Sequence, residues 1–286
     1  MKKGIFFAVL AALFLALMGF FVKRTPDVPN QTLVFFRNLF SLIVLLPFLF
    51  TKGFSFRTKH PMLHLSRAFF GLFGIYCLFY TLKKLELTHS IMLLNTVPLF
   101  IPLIVYFWLN FKIPKKRMLS LLVGFIGILF ILKPDVGEVN AASLVGIVGA
   151  MSAAIALVSL RLLSKTEDPR LILFSFFSAC VLISFVPMVI DWAPIPDLFS
   201  WMNIAFVGLS AVLYQYFITS AYKHIPATKA GCVLYICVLF SGILDWLYWG
   251  NLPDMWFVIG CLLIIGGGTW TLLDQSEAVP MKGKKQ

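Results

Sequence analysis

Two ionisable side chains of opposite sign stand inside apolar runs of this 286-residue chain. Arg37 interrupts TLVFFRNLFSLIVLLPFLF, residues 32 to 50, and Asp245 interrupts SGILDWLYW. A guanidinium presents five N–H donors in a planar fork that fits a carboxylate bidentately, and a carboxylate accepts from an ammonium or from that same fork. Together the two could hold the ends of a zwitterion, or each other. A second set of polar side chains in apolar surroundings comprises Tyr76, Tyr80, Asn95, Tyr214, Gln215, Tyr235 and Trp246. These are candidate substrate-binding residues; the competing reading for the aromatics is an interfacial belt, and for the amides helix-to-helix hydrogen bonding.

What these groups can do depends on the solvent around them. Hydrophobic residues make up 60% of the chain and charged residues 13%, with 30 Phe, and the mean hydropathy is +0.93. Ordinary globular domains carry about 25% charged residues. Ten apolar runs recur, at residues 4 to 22, 32 to 51, 65 to 82, 89 to 109, 116 to 132, 142 to 163, 171 to 190, 199 to 221, 230 to 249 and 255 to 273. Each matches the ~20 residues a helix needs to cross ~30 Å of hydrocarbon. The loops between them are too short to house a soluble domain. The start, MKKGIFFAVLAALFLALMGFF, has the basic and apolar parts of a signal peptide, but no small-residue cleavage site follows it before KRTP; it reads as the first span.

The net charge of +12 is spread unevenly. With the N-terminus in the cytoplasm, eighteen Lys and Arg fall on the cytoplasmic side, five on the other, and Arg37 completes the 24. This is the positive-inside pattern. The cluster KIPKKR and the tail KGKK therefore signal topology and attraction to anionic lipid rather than a nucleic-acid site. Ten crossings return both termini to the cytoplasm. Cys77, Cys180, Cys232, Cys237 and Cys261 all lie in the runs without C-x-x-C spacing, as small hydrophobes. His60 and His64 flank Pro61 with no neighbouring acid in the sequence, which is not a metal-binding pattern.

An offset of 139 aligns residues 80 to 134 with 219 to 273 without a gap, placing Lys84 on Lys223, Ile104 on Ile243, Pro114 on Pro253 and Gly127 on Gly266. Each half then holds five spans, an odd number, so the second half enters the bilayer inverted. The expected fold is an all-α polytopic membrane protein of ten transmembrane helices in two inverted five-helix repeats, residues 1–134 and 142–274, followed by a tail at 275–286. Inverted copies around a pseudo-two-fold axis can exchange shapes, which is the basis of alternating access.

TLKKLELTHSIMLLNTVPLFIPLIVYFWL followed by LVGFIGILFILKP, and SAYKHIPATKAGCVLYICVLFSGILDWLYW followed by VIGCLLIIGGG, resemble the paired EamA domains of the drug/metabolite transporter superfamily. Arg37, Pro98 and the glycines of the fifth and tenth spans sit where that pattern expects them. One departure is that LNFKIP and WGNLPD stand where family members commonly carry a Glu. The resemblance implies a carrier of small organic metabolites in a bacterial inner membrane, with a cavity lined by the first four helices of each half and the fifth and tenth spans at the periphery.

Twelve Asp and Glu are present, and Asp245 is the one clearly within a span. Arg37 lies about 8 Å and Asp245 about 6 Å below the outer surface, at 1.5 Å per residue. Three arrangements are open: a shared outward-facing vestibule, separate snorkelling to the interface, and a structural salt bridge. The expected function is secondary transport of an amino acid or another zwitterion such as S-adenosylmethionine, with a proton or counter-substrate supplying the energy, since no nucleotide-binding motif is present. Competing readings are a multidrug exporter, a lipid flippase and an intramembrane enzyme; the last lacks paired carboxylates or a nucleophile with its base. No cofactor or metal is expected. Cysteine labelling from either side of the membrane is expected to find both chain ends on the same face, and ends on opposite faces would overturn the even count of crossings.

Overall fold

The computed structural model describes residues 2–49, 57–109, 111–112, 115–132, 141–225, 233–273 and 279–280. Cys232 and the KGKK tail lie outside the described residues. The helices are α1 (Lys2–Lys23), α2 (Asn30–Leu49), α3 (Pro61–Lys84), α4 (Leu87–Leu94), α5 (Val97–Leu109), α6 (Lys115–Leu132), α7 (Ala141–Leu163), α8 (Pro169–Ile190), α9 (Leu198–His224), α10 (Ile236–Trp249) and α11 (Met255–Leu273). A two-residue antiparallel pairing joins β1 (Phe111–Lys112) to β2 (Val279–Pro280). Among the described residues, seven segments are long and apolar enough to cross a bilayer, namely α1, α2, α3, α4 with α5, α7, α8 and α9; α10 and α11 contain shorter apolar stretches. The outer surface is apolar: Phe69, Phe73, Leu182, Phe185, Val186 and Val189 are all exposed. A water-soluble monomer does not present so continuous an apolar exterior, whereas acyl chains solvate it.

Lipid offers no hydrophobic drive for helices to associate, so close backbone approach and van der Waals contact must do it. Small residues supply the approach. Gly4, Ala8, Ala12 and Ala16 line one buried face of α1 at four-residue intervals, and α1 packs along α9. Ala142, Gly146, Ala150 and Ala154 form the same stripe on α7, which packs along α3. At the tightest point, a Cβ on Gly149 would stand 2.5 Å from Cys77 Cβ, and one on Gly74 would stand 3.1 Å from the Gly149 carbonyl. Gly208 of α9 lies as close to Phe40 of α2, where the Ser41 hydroxyl donates to the Gly208 carbonyl at 2.8 Å. α6 and α11 pack against each other, with Gly127 against the Gly260 carbonyl.

The sequence predicts one unbroken helix over 89–109, and the chain instead breaks at Asn95 and Thr96. Pro98 has no N–H to continue the α4 ladder, and the residues at the break satisfy themselves locally: Asn95 Nδ2 donates to the Ile91 carbonyl at 2.8 Å and Thr96 Oγ1 to the Leu93 carbonyl at 2.6 Å. The ninth predicted run is interrupted in the same way by a turn at Tyr235, before α10 starts at Ile236.

Polar contacts tie the helix ends. On one face, His64 Nε2 and the Glu167 carboxylate are 2.5 Å apart, and Glu167 also accepts from Thr58 Oγ1 at 2.6 Å and the Lys59 N–H at 3.1 Å. The sequence shows no acid near His64 because its partner lies 103 residues away. On the other face, Lys23 Nζ donates to the Leu85 carbonyl at 2.7 Å and Lys83 to that of Val28. Burial alone would push the Glu167 carboxyl up, but the bonds from Thr58, His64 and the Lys59 N–H together hold it below its ordinary value.

Gly149→Ala is expected to cost about 1–3 kcal/mol through forced separation of α3 and α7, read as a lower midpoint of thermal unfolding in detergent. Gly266→Ala, with nothing within 4 Å of the added methyl, serves as the control and should leave the midpoint in place. Because the Glu167 pKa is lowered on folding, its stabilisation is full above the ordinary carboxylate value of ~4.3 and disappears as the pH falls through the lowered one. Glu167→Gln should therefore be less stable than the parent chain at pH 7 and should converge with it in acid. An equal difference at both pH values would rule out a contribution from the ionised carboxylate.

Candidate functional site

A cavity opens between the helices. Among the described residues, its lining comes from α1, α2, α3, α4, α5 and the break between them, α7, α8, α9 and Leu234. Most of the wall is apolar, with Leu15, Met18, Ile75 and Leu78 among its side chains. Its polar groups are Arg37, Arg67, Asn95, Tyr214, Gln215 and Tyr222.

Two of these are guanidiniums. Arg37 projects from α2 and is 1% exposed. Its Nη1 donates to Asn38 Oδ1 at 2.5 Å, while its buried Nε has no partner. Arg67 projects from α3 and is 2% exposed. Its Nη2 donates to Gln215 Oε1 at 3.1 Å, while its buried Nη1 has no partner. Consecutive rings of α8 support them: Arg67 Cζ sits 4.9 Å from the centroid of Phe176, and Arg37 Cζ sits 5.7 Å from that of Phe177. Such stacking holds the planar group in place while leaving its edge donors free. Among the described residues, the lining includes no Asp or Glu. An arginine buried this deep needs an anion or a rich set of acceptors, and each here has one neutral acceptor and an idle donor.

Arg67 is the functional residue that sequence reasoning misses. The positive-inside count places it with the loop cations because it follows HPMLHLS near the start of a span. The helix begins at Pro61, so Arg67 is almost two turns inside it. The one available signal is its position within the continuous apolar pattern of α3.

Asp245 is not bonded to Arg37 and is not among the described residues that line the cavity. It is 1% exposed on α10, and its Oδ2 accepts from the Thr88 N–H at 2.9 Å and from Thr88 Oγ1 at 2.8 Å. Asn251 Nδ2 donates to its Oδ1 at 3.2 Å. Thr88 lies in the first turn of α4, whose N–H groups have no partners within the helix and whose dipole favours a carboxylate. Asp245 thus caps α4 from a distant part of the chain. Of the other candidates, Asn95, Tyr214 and Gln215 meet Arg37 around the cavity. Tyr76, Tyr80, Tyr235 and Trp246 are absent from its lining. Tyr80 and Trp246 face outward, at 39% and 55% exposure, as aromatics on lipid-facing surfaces do. Tyr235 is buried at the turn before α10, and the Tyr76 hydroxyl is buried without a partner.

The model of the EamA-like transporter family matches this chain twice, over residues 2–133 and 140–273. The pseudopaline exporter of Pseudomonas aeruginosa is 28% identical over 267 residues, covering 93% of this chain and 94% of the relative. The S-adenosylmethionine uptake transporter of Rickettsia felis is 28% identical over 255 residues, covering 88% and 86%. The riboflavin transporter of Brucella anthropi is 26% identical over 260 residues, covering 87% and 90%. A chain of known crystal structure has the same fold, with a TM-score of 0.70 at 16% identity over 94% of this chain and 96% of that one. Matched in both halves by one family model and along most of its length by transporters, the chain belongs to the EamA-like transporter family.

Proposed function

We propose that this transporter carries a small organic metabolite bearing a carboxylate across a bacterial inner membrane by alternating access, in ten spans arranged as two inverted five-helix repeats with a cytoplasmic tail. The observation that carries the reading is the cavity holding Arg37 and Arg67, two buried guanidiniums with idle donors, at the meeting of helices from both halves. Named relatives move pseudopaline, S-adenosylmethionine and riboflavin, one by export and one by uptake, so the class of cargo is a small metabolite while the direction varies within the family.

Several features support the repeat. The family model aligns separately with residues 2–133 and 140–273. The small-residue stripe of α1 recurs on α7, and the contact of α1 with α9 has its counterpart in that of α7 with α3. At the 139-residue offset, Val97, where α5 begins, falls on Ile236, where α10 begins. Discontinuous helices at matching places in two halves are a recurrent device for building a central site. Contacts between loops support an alternating path: Thr58 meets Glu167 on one face, and Lys83 meets Val28 on the other. The bias of Lys and Arg puts the first of these faces, and both chain ends, in the cytoplasm.

Arg37 binds the carboxylate through its fork, and Asn95, Tyr214 and Gln215 orient the rest of the molecule. Transport is driven by a gradient or by exchange. Uptake of labelled metabolites into proteoliposomes, with and without an imposed proton gradient, tests the reading. Arg37→Ala should abolish transport, and Arg37→Lys, which keeps the charge but loses the planar fork, should reduce it by about tenfold or more. Undiminished transport by Arg37→Ala would remove Arg37 from the site.

A further inference from the structure

We infer that the cavity takes an organic dianion: a body of small-metabolite size carrying two negative charges, one for each of Arg37 and Arg67. The inference rests on the carrier reading of this cavity and goes past it in naming the charge class of the cargo. A zwitterion, the class expected from the sequence, needs an acid for its ammonium, and the acid assigned to that role, Asp245, is bonded to Thr88 and Asn251 instead. Among the described residues, none that line the cavity carries a carboxylate. A zwitterion brings no net charge, so its carboxylate could pair with one fork while its ammonium stayed without an acid and the net charge of the two guanidiniums stayed in the cavity.

Charge balance in a low dielectric then selects the ligand. One carboxylate satisfies one fork and leaves a net positive charge buried beside apolar walls, which is the costly state for a charge removed from water. Two anionic charges neutralise the pair and give the idle Arg37 Nε and Arg67 Nη1 their acceptors. Arg37 and Arg67 come from different helices but rest on the consecutive rings Phe177 and Phe176 of α8, so the two guanidiniums lie near one level of the cavity. Leu15, Met18, Ile75 and Leu78 contribute apolar wall beside them, matching the carbon skeleton of an organic anion. Asn38 and Gln215, each bonded to one guanidinium, hold the forks while the site is empty and leave the remaining donors for the ligand. Dicarboxylates and phosphate monoesters share this chemistry and differ in whether the two charges sit on separate groups.

The test is binding to the purified full-length chain in detergent by calorimetry, followed by uptake into proteoliposomes. The probes are α,ω-dicarboxylates of three to eight carbons, their monomethyl esters, simple phosphate monoesters, neutral amino acids and α,ω-diamines. A dicarboxylate or a phosphate monoester should bind, and esterifying one carboxylate should weaken binding about thirtyfold or more, the usual loss when one partner of a buried charge pair is removed. Arg37→Lys and Arg67→Lys should each weaken it about tenfold or more, while Arg170→Lys on the loop-proximal end of α8 should leave it unchanged. The ester comparison is made on the unaltered chain, so it stands even if an arginine variant folds poorly. Neutral amino acids or diamines binding in preference to every dianion would overturn the inference and leave the carrier reading intact. No binding by any class, together with no uptake of any metabolite, would overturn both.

Discussion

Two positive charges are held inside apolar protein without a carboxylate beside them, and the rest of the molecule has to make that tolerable. A charged group removed from water costs several kcal/mol even after relaxation. The chain meets part of this cost with neutral acceptors, Asn38 for Arg37 and Gln215 for Arg67, and part with the faces of Phe177 and Phe176. Neither arrangement saturates the guanidinium. The residual demand for acceptors is what supports the proposed binding role of the cavity, since a fully satisfied arginine would have nothing left to offer a ligand.

Such a site requires a bundle that is tight everywhere except at the centre. Small residues bring α7 close to α3 and α9 close to α2, so that added methyl groups at Gly149 or Gly208 have no room, and van der Waals contact replaces the absent hydrophobic drive between helices in lipid. At mid-depth the packing is relieved by the breaks at Asn95–Thr96 and at Tyr235, whose neighbours Leu94, Asn95, Val97 and Leu234 line the cavity. A continuous helix would present side chains at regular intervals to its neighbours and pack the space. The break turns Asn95 into a residue that satisfies its own helix end and faces the cavity wall, two tasks that a mid-helix amide does not combine.

The membrane-spanning character, most helix limits and Arg37 were legible because each is a local property: hydropathy over ~20 residues, and one charge where no charge belongs. The described helices extend past the predicted spans by only a few residues at most ends. What escaped depends on sequence-distant partners. Asp245 is a charge where none belongs as surely as Arg37, but its role is set by Thr88, 157 residues away, and a helix N-terminus appears as an anion site only once the break that creates α4 is known. Arg67 escaped for the opposite reason. Six residues from the start of its helix, it has the address of an interfacial cation, and only the depth to which α3 begins before it reveals the burial. Tyr80 and Trp246, candidates by residue type, lie on exposed helix faces, which the apolar run around them does not reveal.

The polar ties at the two faces bear on how such a bundle could move. His64 with Glu167 joins α3 to the turn between α7 and α8, and Thr88 with Asp245 joins α4 to α10, so each tie links the first half of the chain to the second. A ligand shifts a conformational equilibrium only through differential contact with its two states. The Arg67–Gln215 bond also crosses from α3 to α9, and both residues line the cavity proposed to take the cargo. An anion that competes with Gln215 for the Arg67 fork exchanges an attachment between two helices for an attachment to the ligand, which loosens α3 relative to α9 while the end ties are still made. Recognition of the cargo and release of the helices that enclose it would then depend on the same guanidinium, with the ties at the two ends setting how far the bundle can open on either side.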